Sequence, residues 1–284
     1  MRHRSSVTGV SDSEVPTHAD VLDACRVGSD LDLAAHDPGD TFGWDKQAAK
    51  HRFRDQIAIV DALQQRLFAA ADRAVLVVLQ SIDAGGKGGT IRSVMSGLNP
   101  AGVTVTGFGV PSEEELAHDF LWRVHAHTPA KGRIGIFDRS HYEDVLVVRV
   151  KEIVPEPVWR RRYDHIVAFE RLLTDEGTSV LKIFLNISKE EQRARFQDRI
   201  DDPEERWKFR SGDLADRALW DDYQAAFGDA LRATSTEAAP WYVVPGDRKW
   251  VRNLVVASIL RHHLELIGPE YPPAREGIEG IVVA

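Results

Sequence analysis

The chain predicts an α/β fold, a mostly parallel sheet covered by helices on both faces, and three observations carry that reading. Short apolar runs alternate with amphipathic stretches along most of the sequence. The run Val75 to Leu79 is continuously apolar, the pattern of a strand buried on both sides in a parallel sheet. It empties into a glycine-rich turn holding Lys87, and a helix opens directly after it. A phosphate chain needs that register of strand, turn and helix. Glycines let backbone N–H groups approach its oxygens, and the helix start adds roughly half a positive charge.

The elements follow in order. Residues 1 to about 40 are polar, rich in Ser, Asp and Pro, and show no sustained period, which predicts a partly disordered extension. A single domain is expected over 41–284. Asp55 to Ala71 places Ile57, Val60, Leu63 and Leu67 at helical spacing. The first strand and its loop come next, then a second strand near Val103 to Phe108. Ser112 with Glu115 makes a capping box, predicting one helix with Leu116, Phe120 and Val124 on a single face. Gly132 turns the chain into the strand Ile134 to Phe137, which ends in Asp138. Pro157 to Leu173 predicts another helix, Val180 to Ile187 a strand, and Ser188 with Glu191 a second capping box. Trp241 to Val244 is the last strand, and a helix from Lys249 to Ile267 is closed by Gly268-Pro269.

Around Lys87, the residues Ala84, Gly85, Gly86, Gly88, Gly89 and Thr90 form the candidate phosphate cradle. The generic phosphate-loop pattern wants Gly six residues before the lysine and Ser or Thr directly after it, where this chain has Ser81 and Gly88. The missing hydroxyl normally touches Mg²⁺, so Asp83 is the expected substitute. An acid at the tip of a neighbouring strand also holds Mg²⁺ in such proteins, which makes Asp138 the second candidate metal ligand. Arg139 beside it can offset charge developing on a transferring phosphoryl. The plainer readings are a ligand-free glycine turn and an Asp that merely ends a strand. Both constellations in one chain favour phosphate chemistry.

A segment of different character lies at 192–223. It holds Arg193, Arg195, Arg199, Arg206, Lys208, Arg210 and Arg217, with Arg195 and Arg199 one helical turn apart. These side chains either neutralise Asp198, Asp201, Asp202, Glu204 and Glu205 on a solvated face or close over phosphates as a lid. Trp207 and Phe209 are expected to pack.

Composition narrows the class. Net charge is −8, so no domain-wide basic face is implied and nucleic-acid binding is disfavoured. A polyanion would have to be held by local basic clusters. At 284 residues and 43% hydrophobic content the chain can bury one large core. No apolar run approaches ~18 residues and no signal-peptide core is present, so neither a membrane span nor export is expected. The single cysteine, Cys25, excludes an internal disulfide, fits a reducing cytoplasm, and reads as incidental to the extension.

Asp-Ala-Gly-Gly-Lys-Gly-Gly at 83–89 together with Asp-Arg-Ser-His-Tyr-Glu at 138–143 resembles the second polyphosphate kinase family. Further stretches fit: Met-Ser-Gly-Leu-Asn-Pro, His-Asp-Phe-Leu-Trp-Arg, Arg-Trp-Lys-Phe at 206–209, and Asp-Arg-Lys-Trp-Val-Arg-Asn-Leu at 247–254. The resemblance spans residues 40 to 267, nearly the whole ordered chain. It implies a P-loop kinase fold with a basic helical lid at 192–223, and contacts to polyphosphate from Arg195, Arg199, Lys208 and Arg210. The implied reaction is Mg²⁺-dependent phosphoryl transfer between inorganic polyphosphate and AMP or ADP, with guanine nucleotides left open. Asp83, Lys87, Asp138 and Arg139 would be the catalytic group, and a homo-oligomer, dimer or tetramer, is implied. The His-Tyr-Glu-Asp variant resembles the class that takes AMP as well as ADP, which places Glu143 on the nucleotide side. That class often has an acid where Gly88 stands. An ATP-dependent nucleoside monophosphate kinase would share loop, sheet and lid, but Gly88 argues against it. A non-catalytic nucleotide-binding regulator would not need both acids and so many lid cations.

Overall fold

The computed structural model describes residues 17–278 and 281–283. The first half of the chain forms α1 (His18–Cys25), α2 (Lys46–Ala70), β1 (Ala74–Gln80), α3 (Lys87–Met95), β2 (Val103–Gly107), α4 (Glu113–Leu116), α5 (Trp122–His125) and β3 (Ile134–Asp138). The second half forms α6 (Val147–Val150), α7 (Glu156–Asp175), β4 (Thr178–Asn186), α8 (Lys189–Asp201), α9 (Gly212–Ala218), α10 (Trp220–Thr234), β5 (Trp241–Pro245) and α11 (Lys249–Ile267).

The five strands are all parallel, in the order β2-β3-β1-β4-β5. Central β1 is buried along its whole length. Its side chains alternate between two cores, as a pleated strand requires. Leu76 and Val78 join Trp159, Ile166 and Phe169 of α7 and Phe227 and Leu231 of α10 on one face. Val75, Val77 and Leu79 join Val60 and Leu67 of α2, Val94 of α3, and Val255 and Ile259 of α11 on the other. Burying each Val or Leu contributes ~1.5–3 kcal/mol, so a strand apolar on both faces needs two covers. This is the P-loop kinase fold. Connections leave β1 toward β2 and β4 toward β5, in opposite directions, so a ligand crevice opens at the carboxyl ends beside β1.

Several local expectations are corrected. α2 begins at Lys46, well before Asp55, because the Asp45 carboxylate caps it by accepting from the N–H groups of Gln47 and Ala48. The capping box at Ser112 and Glu115 forms, yet it opens a helix of one turn only. The Asp119 carboxylate then accepts from Leu121 N–H at 2.9 Å, an Asx turn that diverts the backbone before α5. Leu116 is left exposed while Val124 is buried, so the single apolar face does not exist. At the second box, Ser188 caps Glu191 N–H at 3.0 Å, but the return bond is replaced. Ser188 N–H donates to Asp247, and Glu191 pairs with Arg195.

Residues 1–16 of the expected extension lie outside the described residues. Residues 17–40 are built into the domain. Thr17 and Asp20 close a capping box at α1, and Val21, Leu22 and Cys25 enter the core with Tyr242, Val244 and Leu264. Cys25 is thus a core residue and not an incidental one, and burial pushes its thiol pKa up to about 12. Three apolar positions in so short a helix are too few to show a period. The segment then runs along β5: Val27 N–H donates to Trp241 O at 2.9 Å, Asn186 to His36 O at 2.9 Å, and Asp247 N–H to Pro38 O at 3.1 Å. Among the described residues no helix is long and apolar enough to cross a membrane.

Candidate active site

β1 ends at Gln80, and the chain folds over its tip. Gly86 takes φ +97° as the N-cap of α3, a backbone position that favours glycine. A Cβ at Gly85 would stand 2.4 Å from the Ser81 side chain, so the loop is closed tightly on itself. Ser81, the departure from the generic pattern, receives Lys87 Nζ at 3.1 Å on its hydroxyl oxygen. The residue therefore steers the lysine back across the loop. Thr90 Oγ1 donates to Gly86 O, which ties it to its own helix. At Gly88 a Cβ would meet nothing within 4 Å, so the loop does not depend on glycine there.

β3 pairs with β1 in the register Leu79 to Asp138, which sets Asp138 beside the start of the loop. Arg139 follows in left-handed backbone, φ +64°, with its N–H on Leu79 O at 3.1 Å. Ala84 is left-handed too, at φ +62°. Non-glycine residues held there cost ~1–3 kcal/mol each and cluster at functional sites. The Arg139 guanidinium meets Asp83 Oδ1 at 2.7 Å. Burial, and next the charge of Arg139, push the Lys87 pKa down, with Asp138, Asp83 and Glu143 opposing. Burial pushes Glu143 up against the pull of Arg139 and Lys87. Burial alone would lower Arg139, but Glu143, Asp83 and Asp138 outweigh it and raise its pKa. Asp83, Lys87, Asp138, Arg139 and Glu143 therefore form one electrostatically coupled constellation.

A buried polar network fixes the segment that carries Arg139 and Glu143. His141 and Tyr142 are fully buried. The Tyr142 hydroxyl lies 2.9 Å from both Glu170 Oε1 and Thr234 Oγ1, and His141 Nε2 lies 3.4 Å from the same carboxylate oxygen. Lys182, projecting from β4 into the core, pairs with Glu170 and donates to Thr234 O at 2.7 Å. Lys182 and His141 hold the Glu170 carboxyl below its usual range in spite of burial. At the tip of β1, Gln80 with its oxygen toward Ser140 accepts from Ser140 N–H at 3.2 Å and donates to Glu143 Oε1 at 3.0 Å.

The basic residues of 192–223 divide. Arg195 is nearly buried and donates to Ala84 O at 3.0 Å and Gly246 O at 2.6 Å while pairing with Glu191. It braces the phosphate loop from the side. Arg199 lies over the Phe196 ring, Lys208 pairs with Glu205, and Arg210 is exposed. Burial raises the Asp213 pKa, and the charge of Asp83 adds to it, so α9 reaches toward the loop. Phe209 packs on Phe196 at 5.9 Å. Trp207 does not pack: it is 77% exposed, on a short turn between α8 and α9 that leaves no core for it to enter.

Two residues at the loop were missed by reading the sequence. Gln192 Nε2 donates to Asp83 O at 2.9 Å and fixes the loop backbone. Arg252, 3% exposed, brings its guanidinium to 2.1 Å from where a Gly86 Cβ would stand. Among the described residues no carboxylate pairs with it, and its side-chain acceptor is Asn253. Burial, then the charge of Arg195, push its pKa down to about 10. A buried cation without an acid is costly unless an anion joins it. The available signal was an arginine set among the apolar residues of a helix buried along most of its length.

A parallel sheet whose central strand ends in a glycine loop, with a strand-end acid and converging cations beside it, defines a phosphate-loop phosphotransferase. Residues 44–271 match the family model described as Polyphosphate kinase 2 (PPK2). The chain belongs to the polyphosphate kinase 2 family. It is 55% identical over 255 residues to the AMP/ADP-polyphosphate phosphotransferase of Meiothermus ruber, across 89% of this chain and 96% of that one. It is 44% identical to the ADP-polyphosphate phosphotransferase of Rhodopseudomonas palustris, across 83% of this chain and 87% of that one. The crystal structure of polyphosphate kinase 2 from Arthrobacter aurescens superposes with a TM-score of 0.88 at 42% identity, covering 96% of both chains.

Proposed function

We propose that this protein is a polyphosphate-dependent nucleotide kinase that moves a phosphoryl group between inorganic polyphosphate and AMP or ADP. The observation that carries the reading is the convergence of Lys87, Arg139 and Arg252 on one glycine cradle. The names of the similar Meiothermus and Rhodopseudomonas proteins support the substrates.

In this reading the end of a polyphosphate lies across Gly85, Gly86 and the start of α3. An oxygen of the nucleotide's terminal phosphate attacks the end phosphorus in line, and the P–O bond to the shortened chain breaks. Lys87 and Arg139 offset the charge spread over the transferring oxygens, while Arg195 and Gln192 keep the loop from shifting. Arg199, Lys208 and Arg210 close over the phosphates as part of a lid at 192–223 within the single domain, excluding water. Glu143 lies on the nucleotide side.

The family's chemistry calls for a divalent cation, and Mg²⁺ fits the donors present. Asp83 and Asp138 offer hard carboxylate oxygens, and among the described residues no group of three or more His, Cys, Asp or Glu gathers as a self-sufficient cage. Mg²⁺ is typically held by one or two carboxylates together with substrate phosphates. When bound it would neutralise charge on the bridging oxygens. A cytoplasmic homo-oligomer, dimer or tetramer, completes the proposal, supported by the family resemblance and by a lone, buried thiol.

One experiment tests the reading. The protein is incubated with Mg²⁺, long-chain polyphosphate and AMP or ADP, without ATP, and nucleotides are resolved by chromatography. New ADP and ATP are expected, absent in Lys87→Ala. Phosphorylation of AMP with ATP alone would make it a nucleoside monophosphate kinase, and nucleotide binding without turnover a regulator.

A further inference from the structure

Arg217 of α9 does not neutralise an acid of its own segment. It is half-buried, and its guanidinium donates to Lys189 O at 2.6 Å and to Gln192 Oε1 at 2.9 Å, both in the first turn of α8. Among the described residues no carboxylate pairs with it. Gln192 is buried, and its Nε2 donates to Asp83 O at 2.9 Å. Arg217 fixes which way round that amide lies. An arginine has only protons to give, so the glutamine oxygen must face it and the amide protons are left for Asp83.

One turn further along α8, Arg195 donates to the next carbonyl of the loop, Ala84 O. Two successive carbonyls are thus held from α8 on either side of the left-handed Ala84. In a trans peptide the C=O and N–H point opposite ways, so the Ala84 N–H is turned away from α8. Among the described residues that N–H has no acceptor. α9 is tied on its other side as well. Asp216, the neighbour of Arg217, meets Lys151 at 2.7 Å, at the end of α6 and so just beyond the segment carrying Arg139 and Glu143. Adjacent residues of one short helix therefore grip both walls of the site.

We propose that Arg217 is a positioning residue: by orienting the Gln192 amide it sets the Asp83–Ala84 peptide, so that the Asp83 side chain and the free Ala84 N–H are in place only when α9 is docked on α8. The inference rests on the phosphoryl-transfer reading of the loop. It separates Arg217 from the lid cations that would meet polyphosphate directly.

Two variants test it with Mg²⁺, long-chain polyphosphate and ADP. Gln192→Glu keeps the shape of the side chain and gives Arg217 a charged acceptor, but its carboxylate offers Asp83 O no proton. It should melt with the parent while kcat falls by about 10–10²-fold. Arg217→Met should lose kcat to a similar extent, with the polyphosphate KM within about threefold of the parent at low and at high salt. The double variant should lose little beyond the worse single variant, because both act on one carbonyl. Without metal or substrate, the loop amides around Gly85 should exchange about tenfold faster in Arg217→Met than in the parent. Losses that multiply in the double variant, a salt-sensitive loss confined to KM, a Gln192→Glu variant with the parent's kcat, or unchanged loop exchange would each overturn the assignment. If Arg217→Met does not fold, Gln192→Glu alone decides it. A parent that used no polyphosphate would instead sink the proposed function, and the loop-exchange result would still stand by itself.

Discussion

Arg139 and Asp83 are 56 residues apart in the chain and 2.7 Å apart in space, joined across the tips of β3 and β1. The cation expected to meet the transferring phosphoryl and the acid expected to meet the metal thus neutralise each other. In the proposed reading, a metal on the paired oxygen of Asp83 would compete with Arg139 and free this arginine for phosphate. Its exposure of 38% marks a partly solvated pair, worth ~0–1 kcal/mol to the fold.

Arg139→Ala should therefore leave the melting temperature nearly unchanged and lower kcat by about 10²–10³-fold, the usual loss for one transition-state donor. It should also tighten apparent Mg²⁺ affinity, because Asp83 is released. Titrating Mg²⁺ at fixed polyphosphate reads both effects. A large drop in melting temperature with unchanged Mg²⁺ dependence would make the pair structural.

Gly86 and Gly88 make an internal comparison. A Cβ at Gly86 would press on Arg252 in a left-handed backbone, whereas at Gly88 it meets open space. Gly86→Ala should cost about 10²-fold or more in kcat/KM for polyphosphate through displacement of the cradle. Gly88→Ala should keep activity within a few-fold and gain up to ~1 kcal/mol of helix stability. Measuring both variants by initial rates and thermal melting decides the matter.

Much of this was legible in the sequence, and the reasons differ by element. Val75 to Leu79 betrayed both the strand and its burial on two faces because only a doubly covered strand is apolar at every position. The loop was legible because glycines and lysine must be adjacent in sequence to share one phosphate. Arg252 was hidden because it reaches Gly86 from a distant helix, and no local pattern encodes such an approach. The break between α4 and α5 was hidden for a different reason: one Asx turn at Asp119 overrides a correct apolar spacing.

Glu143 carries a pH signature. Its pKa is raised in the folded protein, so the folded state keeps the proton where the unfolded chain has released it. Its contribution is complete below the ordinary glutamate range near ~4.3 and is lost as pH rises through the folded-state value. Glu143→Gln should melt higher than the parent at pH 7, and the gap should close in acid. A constant gap across pH would refute the burial effect.

In the proposed reading the same residue bears on the acceptor. A carboxylate beside the nucleotide phosphates disfavours the extra charge of a diphosphate. Glu143→Asn should shift the ratio of ADP to AMP efficiency toward ADP by about tenfold, ~1.4 kcal/mol. Parallel kcat/KM values for both acceptors check it, and an unchanged ratio would confine Glu143 to holding Arg139 and Gln80.

Lys182 and Glu170 share the core beneath that segment, both essentially without exposure. Lys182→Met should cost ~3–5 kcal/mol in urea denaturation by stranding a buried charge. The double variant Lys182→Met/Glu170→Gln should recover part of the loss. A single variant as stable as the parent would mean that Glu170 is neutral in the fold.

The segment at 17–40 has a consequence for the order of folding. Its bonds reach Asn186, Arg232 and Ser235 across separations of 150, 201 and 208 residues. It leaves the ribosome well before the residues it binds, because β5 and the end of α10 follow it in the chain by some 200 residues. Until then the growing sheet ends at β4 with an unpaired edge, the kind of surface on which neighbouring chains pair wrongly. The clasp cannot close before β5 is made, and a nascent chain halted before residue 241 should leave residues 17–40 open to protease.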